Sequence, residues 1–219
     1  MSGASPGVFV TGTGTEVGKT VVAAVIAHGL AAAGRRVAVF KPCVTGLREA
    51  GESDHELLRR ASGSAQSDAE IAPYRYDPPA SPHLAAALAG EAIEPARLRE
   101  AAASAAAGAE AIVCEGVGGL LVPLAPRYSV RDLAADLGYP LVVAAAPGLG
   151  TINHTLLTVE AARAAGLAVA AVVLTPWPAE PSAIERDNRS TLERLGEVRV
   201  LTLPQIDLSE PGSWPALSL

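Results

Sequence analysis

At 219 residues the chain is long enough for one domain with a full core and short for two, at about 100–200 residues per domain. Hydrophobic residues make up 49% and charged residues 18%, without a block of like charges, and the net charge is -6. This excludes a disordered chain and a polyelectrolyte and argues against a general nucleic-acid surface, which needs a dense basic patch; no apolar run reaches the ~20 residues of a membrane-spanning helix, so no membrane partner is expected either.

The start, Met1 to Gly7, is small and uncharged and runs straight into a strand. It lacks the basic, apolar and small-residue order of a secretion signal, so a cytoplasmic protein is expected. Short β-branched runs then alternate with alanine- and leucine-rich stretches of helical length. Strands are predicted at Val8–Thr11, Val37–Phe40, Ala111–Glu115, Leu141–Ala145, Val169–Leu174 and Val198–Leu203. Helices are predicted to start near Lys19, Asp54, Pro82, Pro95, Val130, Thr151 and Ala183. The stretch Ser62–Pro82 breaks the alternation and reads as loop with a short edge segment around Ile71–Tyr74. Strands that are apolar throughout belong in a sheet buried on both faces, so the expected class is α/β: a mostly parallel sheet with helices on both sides.

The segment Gly12-Thr-Gly-Thr-Glu-Val-Gly-Lys-Thr20 follows the first predicted strand and opens the first predicted helix, the context in which a glycine-rich loop holds phosphate. Glycine lets the backbone curl so that N–H groups face an anion, and the helix start adds its positive dipole end. Lys19 is then placed for the β- and γ-phosphates of a nucleotide and the Thr20 hydroxyl for Mg²⁺. The expected fold narrows to a single-domain, P-loop NTPase-like one. The loop is a variant, because five residues separate Gly12 from Gly18 and the place that a G-x4-G-K-T spacing gives to glycine is Thr13.

Ligands of open α/β sheets gather at the carboxyl ends of the strands, and three predicted ends carry charge or glycine. Lys41, held by Pro42, is either a site cation or a solvated lysine. Glu115 leads into the turn Gly116-Val-Gly-Gly119 and reads as a metal ligand, with helix capping as the plain alternative. Asp54, within Ser53-Asp54-His55, fits a helix cap and a ligand equally. Gly148-Leu-Gly-Thr151 opens a helix whose start suits a carboxylate as well as ordinary capping. Cys43 and Cys114 form no CxxC pair and are expected to be free thiols, not nucleophiles. His28, His55, His83 and His154 show no i, i+4 metal pair.

Taken as a series, Gly12-Thr-Gly-Thr-Glu-Val-Gly-Lys-Thr20, Lys41-Pro-Cys-Val-Thr-Gly46, Ser81-Pro-His83, Cys114-Glu-Gly-Val-Gly-Gly119 and Gly150-Thr-Ile-Asn-His154 resemble dethiobiotin synthases, from Val10 to about Pro204. The resemblance implies an ATP-dependent cyclo-ligase acting with Mg²⁺ on 7,8-diaminopelargonate and CO₂. A carbamate forms on one amine, the γ-phosphate of ATP moves to its oxygen, and the second amine attacks, so that phosphate leaves and the ureido ring of dethiobiotin closes.

By the same resemblance Thr20, Asp54 and Glu115 hold the metal, and Lys41 is the catalytic residue with Lys19 beside it. The nucleotide cradle is Gly14, Thr15, Glu16, Val17, Gly18, Lys19, Thr20 and Val21, joined by Asp54, Glu115, Gly116 and Gly118. Thr45, where the family often has serine, would contact the diamine or carbamate. The family works as a homodimer; Gly150, Thr151 and Asn153 resemble the element that receives the substrate carboxylate from the neighbouring subunit, and Asn188 falls where some members place a substrate-contacting tyrosine. Thr175 stands where many members have an asparagine that reads adenine. Threonine lacks that paired donor and acceptor, so the base is expected to be read by backbone near Thr175 and Pro176 and near Pro204 and Gln205, with looser choice among nucleotides.

Two other readings share the loop. A partitioning or septum-positioning ATPase switch carries a second lysine five residues before the P-loop lysine, which is Gly14 here. The chain also lacks a basic patch, and Pro211 to Leu219 is no amphipathic membrane helix. An ATP-dependent amide-forming enzyme of corrin metabolism normally adds a glutaminase domain, for which the length leaves no room.

Overall fold

Strands built of consecutive apolar residues must be covered on both sides, and the computed structural model meets that demand with one large sheet. It describes residues 6–48 and 51–217; the reading of the extreme N-terminus and of the final two residues lies outside the described residues. In chain order the elements are β1 (Gly7–Gly12), α1 (Lys19–Ala32), β2 (Val37–Phe40), β3 (Val44–Thr45), α2 (Asp54–Ser62), α3 (Asp68–Ile71), β4 (Arg75–Tyr76), α4 (Pro82–Leu88), α5 (Pro95–Ala106), β5 (Ala111–Glu115), β6 (Pro123–Ala125), β7 (Tyr128–Ser129), α6 (Val130–Leu137), β8 (Leu141–Ala145), α7 (Thr151–Ala164), β9 (Val169–Trp177), α8 (Ala183–Gly196) and β10 (Val200–Pro204).

The main sheet runs β10-β9-β8-β1-β5-β2 with every pairing parallel. Alternation along each strand divides the core. Val10, Val39, Val113 and Val142 face α1, α2 and the segment carrying Trp214, whereas Phe9, Phe40, Ile112 and Leu141 face α5, α6 and α7. Val143, Val172 and Leu174 continue that second side under α7 and α8. Val22 to Ala27 of α1 are all buried, because this helix lies between the sheet and α2.

Every predicted helix start is observed, and three of the six strands have their predicted bounds. β10 begins two residues later than expected, because Glu197 turns left-handed (φ 43°) after α8. The stretch after α2 is more ordered than a loop: it holds α3 and β4, and β4 pairs in parallel with β3, outside the main sheet. Its Ile71 and Tyr74 carbonyls accept the N–H groups of Lys41 and Val44 at 2.8 and 2.9 Å, which fixes the chain just beyond β2. The outer edge of β2 is closed by Gln66, whose side chain accepts from Val39 N–H (2.9 Å) and donates to Val39 C=O (3.1 Å). An edge strand's free backbone groups are thereby paired. No described helix is long and apolar enough to cross a membrane.

Candidate active site

β1 lies inside the sheet between β5 and β8, with β5 between it and β2. The chain builds β2 and β5 on one side of β1 and then β8, β9 and β10 on the other, so the carboxyl end of β1 lies at a switch point, the geometry that forms a crevice. The phosphate loop starts there, tied to β8 by Thr13 N–H to the Ala144 carbonyl (3.0 Å). Glu16 (φ 59°) and Gly18 (φ 82°) are both left-handed, the alternation that turns successive N–H groups toward one side. Gly18 is required twice over, since a Cβ there would also lie 2.6 Å from the Thr175 methyl. Gly14 is different: a Cβ would meet nothing within 4 Å, so packing does not exclude a side chain there.

A cleft of about 680 Å³ opens over this loop and gathers Thr15, Glu16, Gly18, Lys19, Thr20 and Val21 with Lys41, Thr45, Asp54, Glu115 and Gly118. Its floor is a charge cluster. Lys41 Nζ lies 2.6 Å from Glu115 Oε1 and 2.7 Å from Asp54 Oδ2. Thr20 Oγ1 lies 2.8 Å from Glu115 Oε1 and 2.9 Å from Asp54 Oδ1; with one hydroxyl proton it donates to one of them at a time. Lys41 and Glu115 are buried, while the Asp54 side chain is 45% exposed. Asp54 is not the cap of α2. Ser53 takes that position, its N–H and hydroxyl held by the Glu56 carboxylate, which leaves the Asp54 carboxylate free to turn toward Thr20 and Lys41.

Burial disfavours every charge in this cluster, and neighbours decide the net direction. For Lys41, the carboxylates of Glu115 and Asp54 outweigh burial, and the ammonium is held above its ordinary range. For Lys19, burial wins and its pKa is lowered. Burial also raises Asp54, but the charge and hydrogen bond of Lys41 bring it below the usual carboxylate range. Glu115 stays above that range through burial and the like charge of Asp54, against the pull of Lys41. Glu115 Oε2 is buried without a hydrogen-bond partner, and the oxygens of Asp54 and Thr20 stand beside the same carboxylate. A set of oxygen donors with one orphaned carboxylate oxygen suits a hard divalent cation such as Mg²⁺. No group of three or more His, Cys, Asp or Glu side chains among the described residues is arranged to hold a metal, so two carboxylates and a hydroxyl are the candidate set.

Other expected site residues fall elsewhere. Gly116 lies under the cleft: its N–H donates to the Val10 carbonyl (2.8 Å), and a Cβ would press on Val130 and Phe9 at 2.8 and 3.1 Å. Thr175 is buried with its methyl against Gly18. Pro176 and, at the end of β10, Pro204 and Gln205 are exposed. At the end of β8, Gly150 (φ 91°) opens α7, Thr151 is buried and Asn153 exposed. A second groove of about 510 Å³ runs from Thr13, Gly14 and Thr15 past Leu121 and Val122 to His154 and Leu157, and it shares Thr15 and Val122 with the first. Asn188 reaches neither groove: it is buried on α8 and its Nδ2 donates to the Pro147 and Gly148 carbonyls at 2.9 and 3.1 Å. Ser81 and Pro82 of the Ser81-Pro-His83 motif form one wall of the cleft, and Cys43, Pro79, Ala80, Val117 and Val122 line it without having been expected as site residues. Both cysteines are free and buried, and burial pushes the Cys43 thiol up to about 12 and the Cys114 thiol higher still, which leaves little thiolate for attack.

A phosphate loop at a central strand end, a buried lysine and two carboxylates around its threonine define a P-loop nucleotide-binding protein, and residues 6–212 match the AAA domain family. Solved structures agree on the fold. The cell division ATPase MinD of Pyrococcus furiosus aligns with a TM-score of 0.57 at 17% identity, covering 93% of this chain and 84% of its own. A nucleotide-binding protein of Archaeoglobus fulgidus, solved with ADP, aligns at 0.53 and 17%. At that identity the likeness is one of fold alone. Sequence relatives narrow the class. The ATP-dependent dethiobiotin synthetase BioD of Anaeromyxobacter dehalogenans is 46% identical over 86% of this chain and 85% of the relative. Proteins of that name from a Mycobacterium species and Bacillus velezensis are 43% and 39% identical over 95% and 91% of this chain and 92% and 86% of theirs. The chain belongs to the ATP-dependent dethiobiotin synthetase family.

Proposed function

We propose that the 219-residue chain acts as one P-loop domain in the cytoplasm and makes dethiobiotin from 7,8-diaminopelargonate, CO₂ and ATP. The observation that carries this reading is the cluster of Lys41, Glu115, Asp54 and Thr20 on the floor of the phosphate-loop cleft. Phosphoryl transfer needs positioning and charge neutralisation more than covalent catalysis, and that cluster concentrates both beside the loop. The backbone from Gly14 to Val21 and the Lys19 ammonium hold the triphosphate. Thr20, Asp54 and Glu115 would hold Mg²⁺, which would supply neutralisation of the phosphate charge.

Lys41 faces the same cleft as Thr45. A carbamate formed on one amine lies between them; the Lys41 ammonium stabilises charge on its oxygen as that oxygen bonds to the γ-phosphorus and the bond to ADP breaks, and the Thr45 hydroxyl orients it. The second amine then attacks the carbonyl carbon of this mixed anhydride, the C–O bond to phosphate breaks, the amine gives up a proton and the ring closes, releasing phosphate. Water is kept out on one side by the apolar wall of Pro79 to Pro82 and Val122. Thr175 supports Gly18 from behind, so the base is read by backbone near Thr175, Pro176, Pro204 and Gln205, and nucleotides other than ATP are accepted.

The substrate carboxylate belongs at the start of α7, at Gly150, Thr151 and Asn153, presented by a second copy of the chain. The exposed Leu121 and Leu157 line the groove that joins this helix to the cleft and, with the exposed Leu149 just ahead of the helix, supply the apolar surface for a homodimer.

The test is to mix purified protein with MgATP, bicarbonate and 7,8-diaminopelargonate and follow phosphate and product mass. Phosphate release that requires the diamine, with a product heavier by one carbonyl less two hydrogens, is the expected result. Phosphate release indifferent to the diamine would favour an ATPase switch.

A further inference from the structure

We infer that Asn188 is a positioning residue that sets substrate affinity by holding the loop ahead of α7, not a residue that touches substrate. The inference deepens the reading above, in which the start of α7 receives the substrate carboxylate, and it rests on that reading. A carboxamide nitrogen carries two protons, and Asn188 Nδ2 faces two carbonyls, Pro147 at 2.9 Å and Gly148 at 3.1 Å. With the residue 5% exposed, that nitrogen has both donor positions occupied and none left for a ligand.

The two carbonyls belong to the loop that joins β8 to α7. Gly148 C=O also accepts Thr151 N–H at 3.2 Å, and Gly150 C=O accepts His154 N–H at 3.2 Å. The helix therefore starts at Gly150, which is left-handed at φ 91° and provides no side-chain cap. The N–H groups of Ile152 and Asn153 precede the first i to i−4 bond and stay available at the helix start. Asn188 draws the Pro147 and Gly148 carbonyls toward α8. Without it, the Pro147 carbonyl loses this donor, the Gly148 carbonyl keeps only Thr151 N–H, and the turn at Gly148 to Gly150 is free to rotate, which spoils the aim of those N–H groups. The effect is local: the charge cluster stands on β5, α1, α2 and the segment after β2, none of which Asn188 contacts among the bonds described.

The experiment compares 7,8-diaminopelargonate with its methyl ester for the unmodified protein and for Asn188→Ala, Asn188→Asp and Asn188→His, measuring KM for each diamine, KM for ATP and kcat. The unmodified protein should prefer the acid. Asn188→Ala should raise KM for the acid by about tenfold or more, erase most of the preference over the ester, and leave KM for ATP within about twofold. Asn188→Asp, with acceptors in place of donors, should be no better than alanine, and Asn188→His, with one ring donor, should recover part of the loss. A preference for the acid that survives in Asn188→Ala and Asn188→Asp would overturn the role of Asn188 while sparing the α7 reading. No preference in the unmodified protein would overturn the α7 reading, and the inference with it. Should Asn188→Ala not fold, the contrast between the His and Asp variants decides in the same way.

Discussion

The two halves of the sheet end in opposite chemistry. At the β1, β5 and β2 ends stand Lys19, Lys41 and Glu115, with Asp54 brought in by α2. The β8, β9 and β10 ends run into Ala146 to Gly150, Thr175 to Ala179 and Pro204 to Ile206, which contain no charged residue. The charged half is built from buried ions that need one another: Lys41 is tolerable in its site because two carboxylates lie within 2.7 Å. The neutral half works through backbone, with Asn188 fixing carbonyls and Thr175 filling the space behind Gly18. In the function proposed above, charge stands where phosphate moves and uncharged backbone where a base or a carboxylate is recognised.

The sharpest way to break this contrast is within the charged half. Glu115→Gln keeps the shape but removes a fully buried charge that faces Lys41 and Thr20, so turnover should fall by about a thousandfold. Asp54→Asn should cost about tenfold less, because its half-exposed position lets water replace part of what is lost. Phosphate release measured across a MgCl₂ series checks both, and equal losses would contradict the difference in burial. Next comes the seam between the halves. Gly18→Ala places a Cβ 2.6 Å from Thr175 Cγ2 at φ +82°, so ATP binding should weaken and the melting temperature should drop by about 3–10 °C. Adding Thr175→Ser should recover the steric part and leave the backbone part.

In the neutral half, Thr175→Asn should raise the preference for ATP over CTP and GTP by about tenfold or more, starting from a discrimination under about a hundredfold, as read by competition in the phosphate assay. An unmodified protein that already prefers ATP by more than that would break the account of Thr175. The smallest effect is a pH dependence set away from the cleft. Burial lowers the His55 pKa below 6.5, against Asp68 and Glu56, which raise it, with Arg75 and Arg59 lowering it again. The unfolded chain then binds the proton first as pH falls below 6.5, so stability rises with pH across that window and is lost on acidification. Between pH 7.5 and 5.5 the melting temperature should fall further for the unmodified protein than for His55→Gln, by about 2–4 °C per kcal/mol.

Much of the charged half was legible in the sequence. Apolar runs gave β1, β2, β5 and β8, and the residues that matter sit at the ends of those runs, where a strand must stop and a side chain meets solvent or ligand. Lys41 and Glu115 could be paired because parallel strands bring their carboxyl ends together. Asp54 joined them only through the family resemblance; its own position read equally as a helix cap, and the outcome depends on Ser53 taking the cap of α2. Less legible beside the charged half were β3 and β4, two residues each and too short to show a period, although β3 carries Thr45 into the cleft. The neutral half was less legible still. The hydrogen bonds of Asn188 to a loop some forty residues earlier follow no local pattern, so the sequence suggested a substrate contact where the geometry offers a support.

The most direct measurement is the behaviour of Lys41→Ala, with nucleotide affinity taken by calorimetry and turnover by diamine-dependent phosphate release on the same preparation. The account predicts that turnover falls by about 10²–10³-fold while nucleotide affinity changes by less than about tenfold. Equal losses in both would make Lys41 a binding residue and contradict its place at the reacting carbamate.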